Sequence, residues 1–270
     1  MRRSRNNGSR RYGGHRQRCL GLFCVLAGLL AAGAAAQAPG SATGTFRDQQ
    51  RRFPRVRAAY AAVEVRLQEQ CAAAEVDYPP RRIFLRAFKR EAQLEVWGAA
   101  TASSPFRLIA AYPVCAASGT LGPKRHQGDL QVPEGVYHVD RFNPASRFHL
   151  SLGIDYPNRS DRIRKDRPDP GGDIFIHGSC VTIGCLPITD EGIRELYILA
   201  VEARNAGQRR IPVHIFPTRL DDPGWAWLQD RYADQPDRLA FWRELRPVFA
   251  YFERHRQVPR PMIDGQGCYV

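Results

Sequence analysis

Between Val56 and about Glu75, apolar residues recur at Ala59, Tyr60, Val63, Leu67 and Cys71. Steps of three and four put them in one stripe on the side of a helix. Tyr78-Pro79-Pro80 ends that pattern, because proline cannot continue a helical hydrogen-bond ladder. The period then shortens to two. Ile83 to Phe88, Gln93 to Trp97, Phe106 to Val114, Gly135 to Val139 and Phe148 to Leu152 are short runs rich in branched and aromatic residues, and are predicted strands. Asp173 to His177 is apolar on both faces, as a buried strand should be. A second helix follows. Thr189 is placed to cap it, Asp190 and Glu191 favour its positive end, and Ile193, Leu196, Tyr197, Ala200 and Val201 form its apolar stripe. Gly207 is placed to stop it, and Arg210 to Phe216 is predicted as another strand. Residues 222–256 are rich in Trp, Phe and Arg and predict two further helices ending near His255.

These elements predict an α+β fold, mainly β, with helical additions at both ends. Residues 81–218 form the β domain, 37–80 a linker and N-terminal helix, and 219–270 a C-terminal helical extension. The first 36 residues read differently. A basic stretch ends at Arg18, an apolar run continues to Gly33, and Ala34-Ala35-Ala36 closes it. That order is the layout of a secretory signal peptide cleaved near Ala36, and the run is shorter than the roughly 20 residues of a comfortable membrane span. No second apolar run appears, so the mature protein is expected to be soluble, with no membrane contact after signal removal.

The export signal changes the meaning of the charge. The net charge is +13, but residues 1–38 hold seven arginines and no acid, so the mature chain carries only +6. A mild positive excess suits an anionic partner such as a wall polymer. It would also suit nucleic acid, but no recognition motif for one is present. Of seven cysteines, Cys71, Cys115, Cys180, Cys185 and Cys268 lie beyond the signal. An odd number in an exported chain leaves at least one thiol outside any internal disulfide.

The densest chemistry lies in His177-Gly178-Ser179-Cys180-Val181-Thr182-Ile183-Gly184-Cys185-Leu186-Pro187. A predicted strand delivers His177, a glycine-containing loop leads to Cys185, and a capped helix begins just after. A thiol attacks a carbonyl as its thiolate, so Cys185 is the candidate nucleophile and His177 its candidate proton acceptor and donor. The nearby helix N-terminus is positioned to help hold negative charge. Backbone N–H groups around Gly184 and Cys185 are candidates for an oxyanion hole, with Gly184 permitting the turn. Other readings compete. Cys185 alone reads as a core cysteine. A regulatory disulfide between Cys180 and Cys185 is a second reading, and it would silence the nucleophile, while Cys180 by itself reads as a packed loop residue. His177, Cys180 and Cys185 with His138 or His149 make a conceivable zinc set, but the spacing matches no standard zinc pattern. His138, His149 and His214 fall on strand patterns and read as structural, as does Ser179.

The same stretch resembles the L,D-transpeptidase catalytic domain, or YkuD domain, and within it the YafK-like branch. In the wider family a His-Gly at a strand end precedes a Ser/Thr-His-Gly-Cys-x-Arg signature. His177-Gly178 matches the first element, and Thr182, Gly184 and Cys185 match most of the second. Further matching blocks run from Leu121 to Lys124, Gly128-Asp129, Val132 to Tyr137, Asp140 to Pro144, Leu150 to Gly153 with Tyr156 to Asn158, and Gly207 to Pro217, so the resemblance spans roughly Arg82 to Arg219. Two positions depart from the signature: Ile183 stands for the second His and Pro187 for the Arg. The first departure leaves His177 as the sole local base. The second removes a usual carboxylate holder, for which Arg141 is a substitute candidate, though a structural salt bridge or a solvated side chain is the preferred reading of Arg141.

The resemblance implies an L,D-transpeptidase-type β-sandwich and a cysteine acyltransferase that needs no cofactor and no metal. Its substrates would be peptidoglycan stem peptides, attacked at a diaminoacyl carbonyl. An amine acceptor would give a cross-link or attach a protein to the wall, and water would give endopeptidase cleavage. A wall-binding module of the same fold without turnover is the alternative from another class. The expected location is the periplasm or the wall face.

Overall fold

The computed structural model describes residues 44–270, so the expected signal peptide lies outside the described residues. Those residues contain helices α1 (Phe46–Arg51), α2 (Pro54–Ala73), α3 (Arg159–Arg164), α4 (Asp190–Asn205), α5 (Asp222–Arg231) and α6 (Pro236–His255). The strands are β1 (Arg82–Phe88), β2 (Gln93–Ala99), β3 (Arg107–Pro113), β4 (Gly135–Asn143), β5 (Ser151–Ile154), β6 (Phe175–His177), β7 (Leu186–Pro187) and β8 (Ile211–Phe216). The α+β class expected from the sequence is the one observed.

The strands make one mixed sheet in the order β3-β2-β1-β8-β4-β5-β6-β7. Pairing is antiparallel except for β1 with β8 and β6 with β7. Beyond the two edge strands the chain pairs once more, Val114 bridging Ile188. Edges that would expose unpaired backbone are thereby partly tied together.

Alternation along the strands decides what covers each face. Leu85, Val213, Tyr137, Leu152 and Ile176 meet α2 and α4 in the main core. The stripe predicted for α2 is buried in full, and Thr189 caps α4 by accepting from the Gly192 N–H at 3.1 Å. Two carboxylates on α4 are buried but paired: Glu202 accepts from Tyr60 Oη at 2.7 Å and from Arg47, and Glu195 accepts from Tyr112 Oη at 2.9 Å. Such pairing offsets the cost of burying charge.

Phe88 and Phe216 point the other way, into a second core with Leu228, Trp242, Leu245 and Phe249 of α5 and α6. Arg86 lies there too, 1% exposed, 2.7 Å from Glu253 and with its guanidinium 4.7 Å from the Phe252 ring centre. Glu134, fully buried, accepts from Lys89 Nζ at 2.9 Å and from Trp242 Nε1 at 2.6 Å. The C-terminal helices are thus anchored to the sheet by apolar packing and by paired charges.

Candidate active site

The parallel pairing of β6 with β7 sets the geometry. Ile176 is opposite Leu186 and His177 opposite Pro187, so Cys185 falls opposite Phe175. Residues two apart on a strand share a face. Carried one residue further, that register would set Cys185 on the face of His177, diagonally across neighbouring strands. Strands about 4.8 Å apart with a rise of about 3.3 Å per residue bring such a pair within side-chain reach.

The loop between them is held by specific contacts. The Gly178 N–H donates to the Phe148 carbonyl at 3.0 Å, and the Ser179 N–H to Asp190 Oδ1 at 2.9 Å. A Cβ at Gly178 would lie 2.5 Å from that Asp190 oxygen and 2.9 Å from the Phe148 oxygen, so glycine is needed for the close approach. Gly184 has φ +132°, a conformation that side chains disfavour. Thr182 Oγ1 accepts from the Gly184 and Cys185 N–H groups at 3.2 and 2.8 Å and donates to the Cys185 carbonyl at 2.9 Å. Those are the two N–H groups expected to be open for an oxyanion. In this conformation the threonine hydroxyl occupies both.

His177 is 1% exposed and stacks near Phe148, with ring centres 4.6 Å apart. Its Nδ1 lies 2.5 Å from the Gly178 carbonyl oxygen. A carbonyl only accepts, so Nδ1 carries the hydrogen and Nε2 keeps its lone pair. Burial pushes the imidazole below its ordinary value, the Gly178 contact opposing. Cys185 is half-buried, and its Sγ lies 3.7 Å from the Asp173 carbonyl. Burial pushes its thiol upward and the Asp173 charge adds to this, while the Phe175 N–H and the positive charge of Lys124 oppose it. The resting pair is therefore neutral imidazole and thiol.

Several expectations need correction. β7 separates Cys185 from α4, which begins at Asp190, so the groups acting on the sulfur are Asp173, Phe175 of β6 and Lys124, and not a helix N-terminus. Cys180 is neither a simple packed residue nor a partner for Cys185: it is bonded to Cys115, just beyond β3. That bond also removes Cys180 from the conceivable zinc set, and among the described residues no cluster of three such side chains is placed to hold a metal. Arg141 makes the salt bridge weighed against its binding role, donating to Asp173 at 2.6 Å and Asp140 at 3.3 Å. Its guanidinium lies 4.7 Å from the Phe175 ring centre, so it borders the backbone that faces Cys185. His149 accepts from Arg194 Nε at 2.9 Å, and His138 Nδ1 sits 3.5 Å from Asp155. Nothing in the sequence beyond a matching block singles out Lys124. It is buried, bonded to Asp129 at 2.6 Å, and its charge reaches the thiol.

Residues 76–215 match the family model described as the YkuD L,D-transpeptidase catalytic domain. The chain belongs to this family. A candidate L,D-transpeptidase of Escherichia coli K12, YafK, is 35% identical over 190 residues, covering 70% of this chain and 73% of its own, and its O157:H7 counterpart matches equally. Among solved structures, the helical cell shape determining protein Pgp2 of Campylobacter jejuni aligns over 64% of this chain and 70% of its own, at 18% identity and TM-score 0.41. Bd1075 of Bdellovibrio bacteriovorus aligns over 63% and 59%, at 20% identity and TM-score 0.37. The stretch matched to the L,D-transpeptidase domain contains His177, Cys185, both halves of the disulfide, Lys124 and Arg141, and stops within β8.

Proposed function

We propose that the protein is a peptidoglycan L,D-transpeptidase-type cysteine acyltransferase, with Cys185 as nucleophile and His177 as base. The observation that supports this most directly is the β6–β7 register, which sets Cys185 immediately before the strand that pairs with His177, with His177 Nε2 left with a free lone pair. In the reaction, His177 Nε2 takes the thiol proton as Sγ attacks the carbonyl carbon of a diaminoacyl residue in a stem peptide. The C–N bond breaks, the leaving amine takes the proton back from His177, and a thioester remains on Cys185. An acceptor amine then attacks the thioester, a new amide forms and the thiol is restored. Water as acceptor gives a free carboxylate. For the Gly184 and Cys185 N–H groups to hold the oxyanion, the substrate oxygen would have to displace the Thr182 hydroxyl. Arg141 is a candidate for the substrate carboxylate, and it would have to release Asp173 to act.

The protein would meet this substrate after export, with residues 1–36 removed, in the periplasm or at the wall face. Among the described residues no helix is long and apolar enough to cross a membrane. The deciding experiment incubates the protein with purified cross-linked wall fragments and identifies products by mass. An acyl adduct on the peptide containing Cys185 is expected. Retention of the acceptor amine in the product marks transfer, and gain of water marks cleavage. Absence of any adduct or product, with the protein folded, would leave the wall-binding module as the better account.

A further inference from the structure

A cavity of about 490 Å³ lies between the β1, β8 and β4 strands and the chain that follows α6. Neither Cys185 nor His177 lines it. Its volume is in the range that takes small ligands.

Three arginines, Arg82, Arg210 and Arg260, line it, and no carboxylate does. The nearest acid is Asp155, 3.7 Å from Arg210 and 3.5 Å from His138, so Arg210 is already partly neutralised. Arg82 and Arg260 have no carboxylate partner among the described residues, and the buried Nε of Arg82 has no hydrogen-bond partner at all.

The other unpaired group is more telling. His214 is 1% exposed, and neither ring nitrogen finds a partner. Burial, with Arg86 close by, holds it neutral, its pKa pushed down to about 3. A neutral imidazole offers one N–H donor and one lone-pair acceptor. Leaving both unmade is costly, and an apolar residue packed on Phe84 would avoid that cost. Unpaired buried polar groups of this kind are expected to find partners.

The two needs define the ligand. Arginines ask for an oxyanion. The lone pair on His214 asks for a donor, which a simple carboxylate lacks and which inorganic phosphate offers only through its remaining O–H groups. A peptide end supplies both, as a terminal carboxylate beside a main-chain N–H. Phe106 and Val258 supply apolar wall for a small side chain.

We propose that this cavity binds the carboxyl-terminal end of a peptide, its carboxylate on Arg82 and Arg260 and its last amide N–H on the lone-pair nitrogen of His214. The site is distinct from the Cys185 centre and does not depend on the reaction proposed there.

The test is calorimetric titration of the protein with acetyl-D-alanyl-D-alanine, acetyl-L-alanyl-L-alanine, succinate and inorganic phosphate, with the His214 ring nitrogens followed by NMR. Saturable binding of an acetylated dipeptide is expected, with a Kd of about 1 mM or tighter, together with a shift of the His214 resonances. Preference for the D form points to wall stem peptides, and for the L form to a protein terminus. Arg82→Gln and Arg260→Gln should each weaken binding about tenfold, an ordinary loss for a charge-assisted contact. His214→Phe should weaken it severalfold while leaving the melting temperature unchanged or raised. The proposal is overturned if neither dipeptide saturates, if phosphate binds and the dipeptides do not, or if both arginine variants bind as the parent does. It also fails if His214→Phe melts lower yet binds unchanged. Should that variant not fold, the arginine pair decides alone.

Discussion

At the scale of single residues, burial acts on Cys185 and His177 in opposite senses, and both shifts favour the neutral form. The thiolate must therefore be created during reaction and is not stored beforehand. Alkylation of Cys185 by iodoacetamide should climb with pH, with its midpoint above the ordinary thiol value of about 8.5. A rate already flat between about pH 5 and 8 would instead mean a preformed ion pair, which low-pKa cysteines show. Cys185→Ser should lose at least about 100-fold in turnover of wall fragments, and His177→Ala most of the activity, since catalytic proton transfer commonly contributes that much. Circular dichroism must first show both variants folded. Parent-rate turnover by folded Cys185→Ser would remove the nucleophile assignment. The candidate pair was legible in the sequence because a nucleophile and its base both sit near one short loop. The groups that tune them were not, because Asp173, Phe175 and Lys124 reach Cys185 only through strand register and tertiary approach.

At the scale of elements, the loop from His177 to Cys185 is fixed by a bond the sequence could not pair. Cys115 and Cys180 are 65 residues apart, and only the return of the chain past β7 brings them together. The Cys115 N–H donates to the Pro187 carbonyl at 3.0 Å, so covalent and backbone ties act side by side. Closing a loop of that length is expected to stabilise by about 2–4 kcal/mol, chiefly by restricting the unfolded chain. Cys180→Ser, or Cys115→Ser, should therefore lower the denaturant midpoint by that equivalent. Substantial activity should remain at ambient temperature, because both sulfurs are bonded to each other and neither is the proposed nucleophile. An unchanged midpoint would mean the bond is not formed in solution. A dead but folded Cys180→Ser would mean that Cys180 and Cys185 have been assigned each other's roles. The longer elements were readable because their periods are strong: the buried stripe of α2 and the capped start of α4 fall where expected. β7 was missed because two residues carry no period. β5 begins at Ser151 and not at Phe148 because His149 takes φ +71°, which breaks the extended chain.

At the scale of the whole molecule, the family match stops inside β8, yet the core does not. The described residues form one compact unit, and α5 and α6 cover the sheet face that carries Phe88 and Phe216. The sequence marked these helices as an extension because their Trp- and Phe-rich pattern follows the last strand. Their role as the second wall of the core depended on which sheet face they meet, and strand alternation alone does not name a partner. Trp225, Leu228, Phe241, Trp242, Leu245, Val248, Phe249 and Phe252 are all buried. At about 1.5–3 kcal/mol for each such side chain, the eight together contribute about 12–24 kcal/mol, as much as or more than the 5–15 kcal/mol by which a typical domain is stable. Removing them would also strip Arg86 of Glu253 and Glu134 of Trp242, leaving buried charges with fewer partners. A protein ending at Thr218 should therefore fail to fold, showing no cooperative thermal transition by circular dichroism, although it retains every residue matched to the family. Trp242→Ala in the full chain should be milder, losing about 3–5 kcal/mol while still unfolding cooperatively. If the truncated protein instead melts cooperatively and acylates Cys185 with wall fragments, the helices are an appendage and the catalytic unit ends where the family match does.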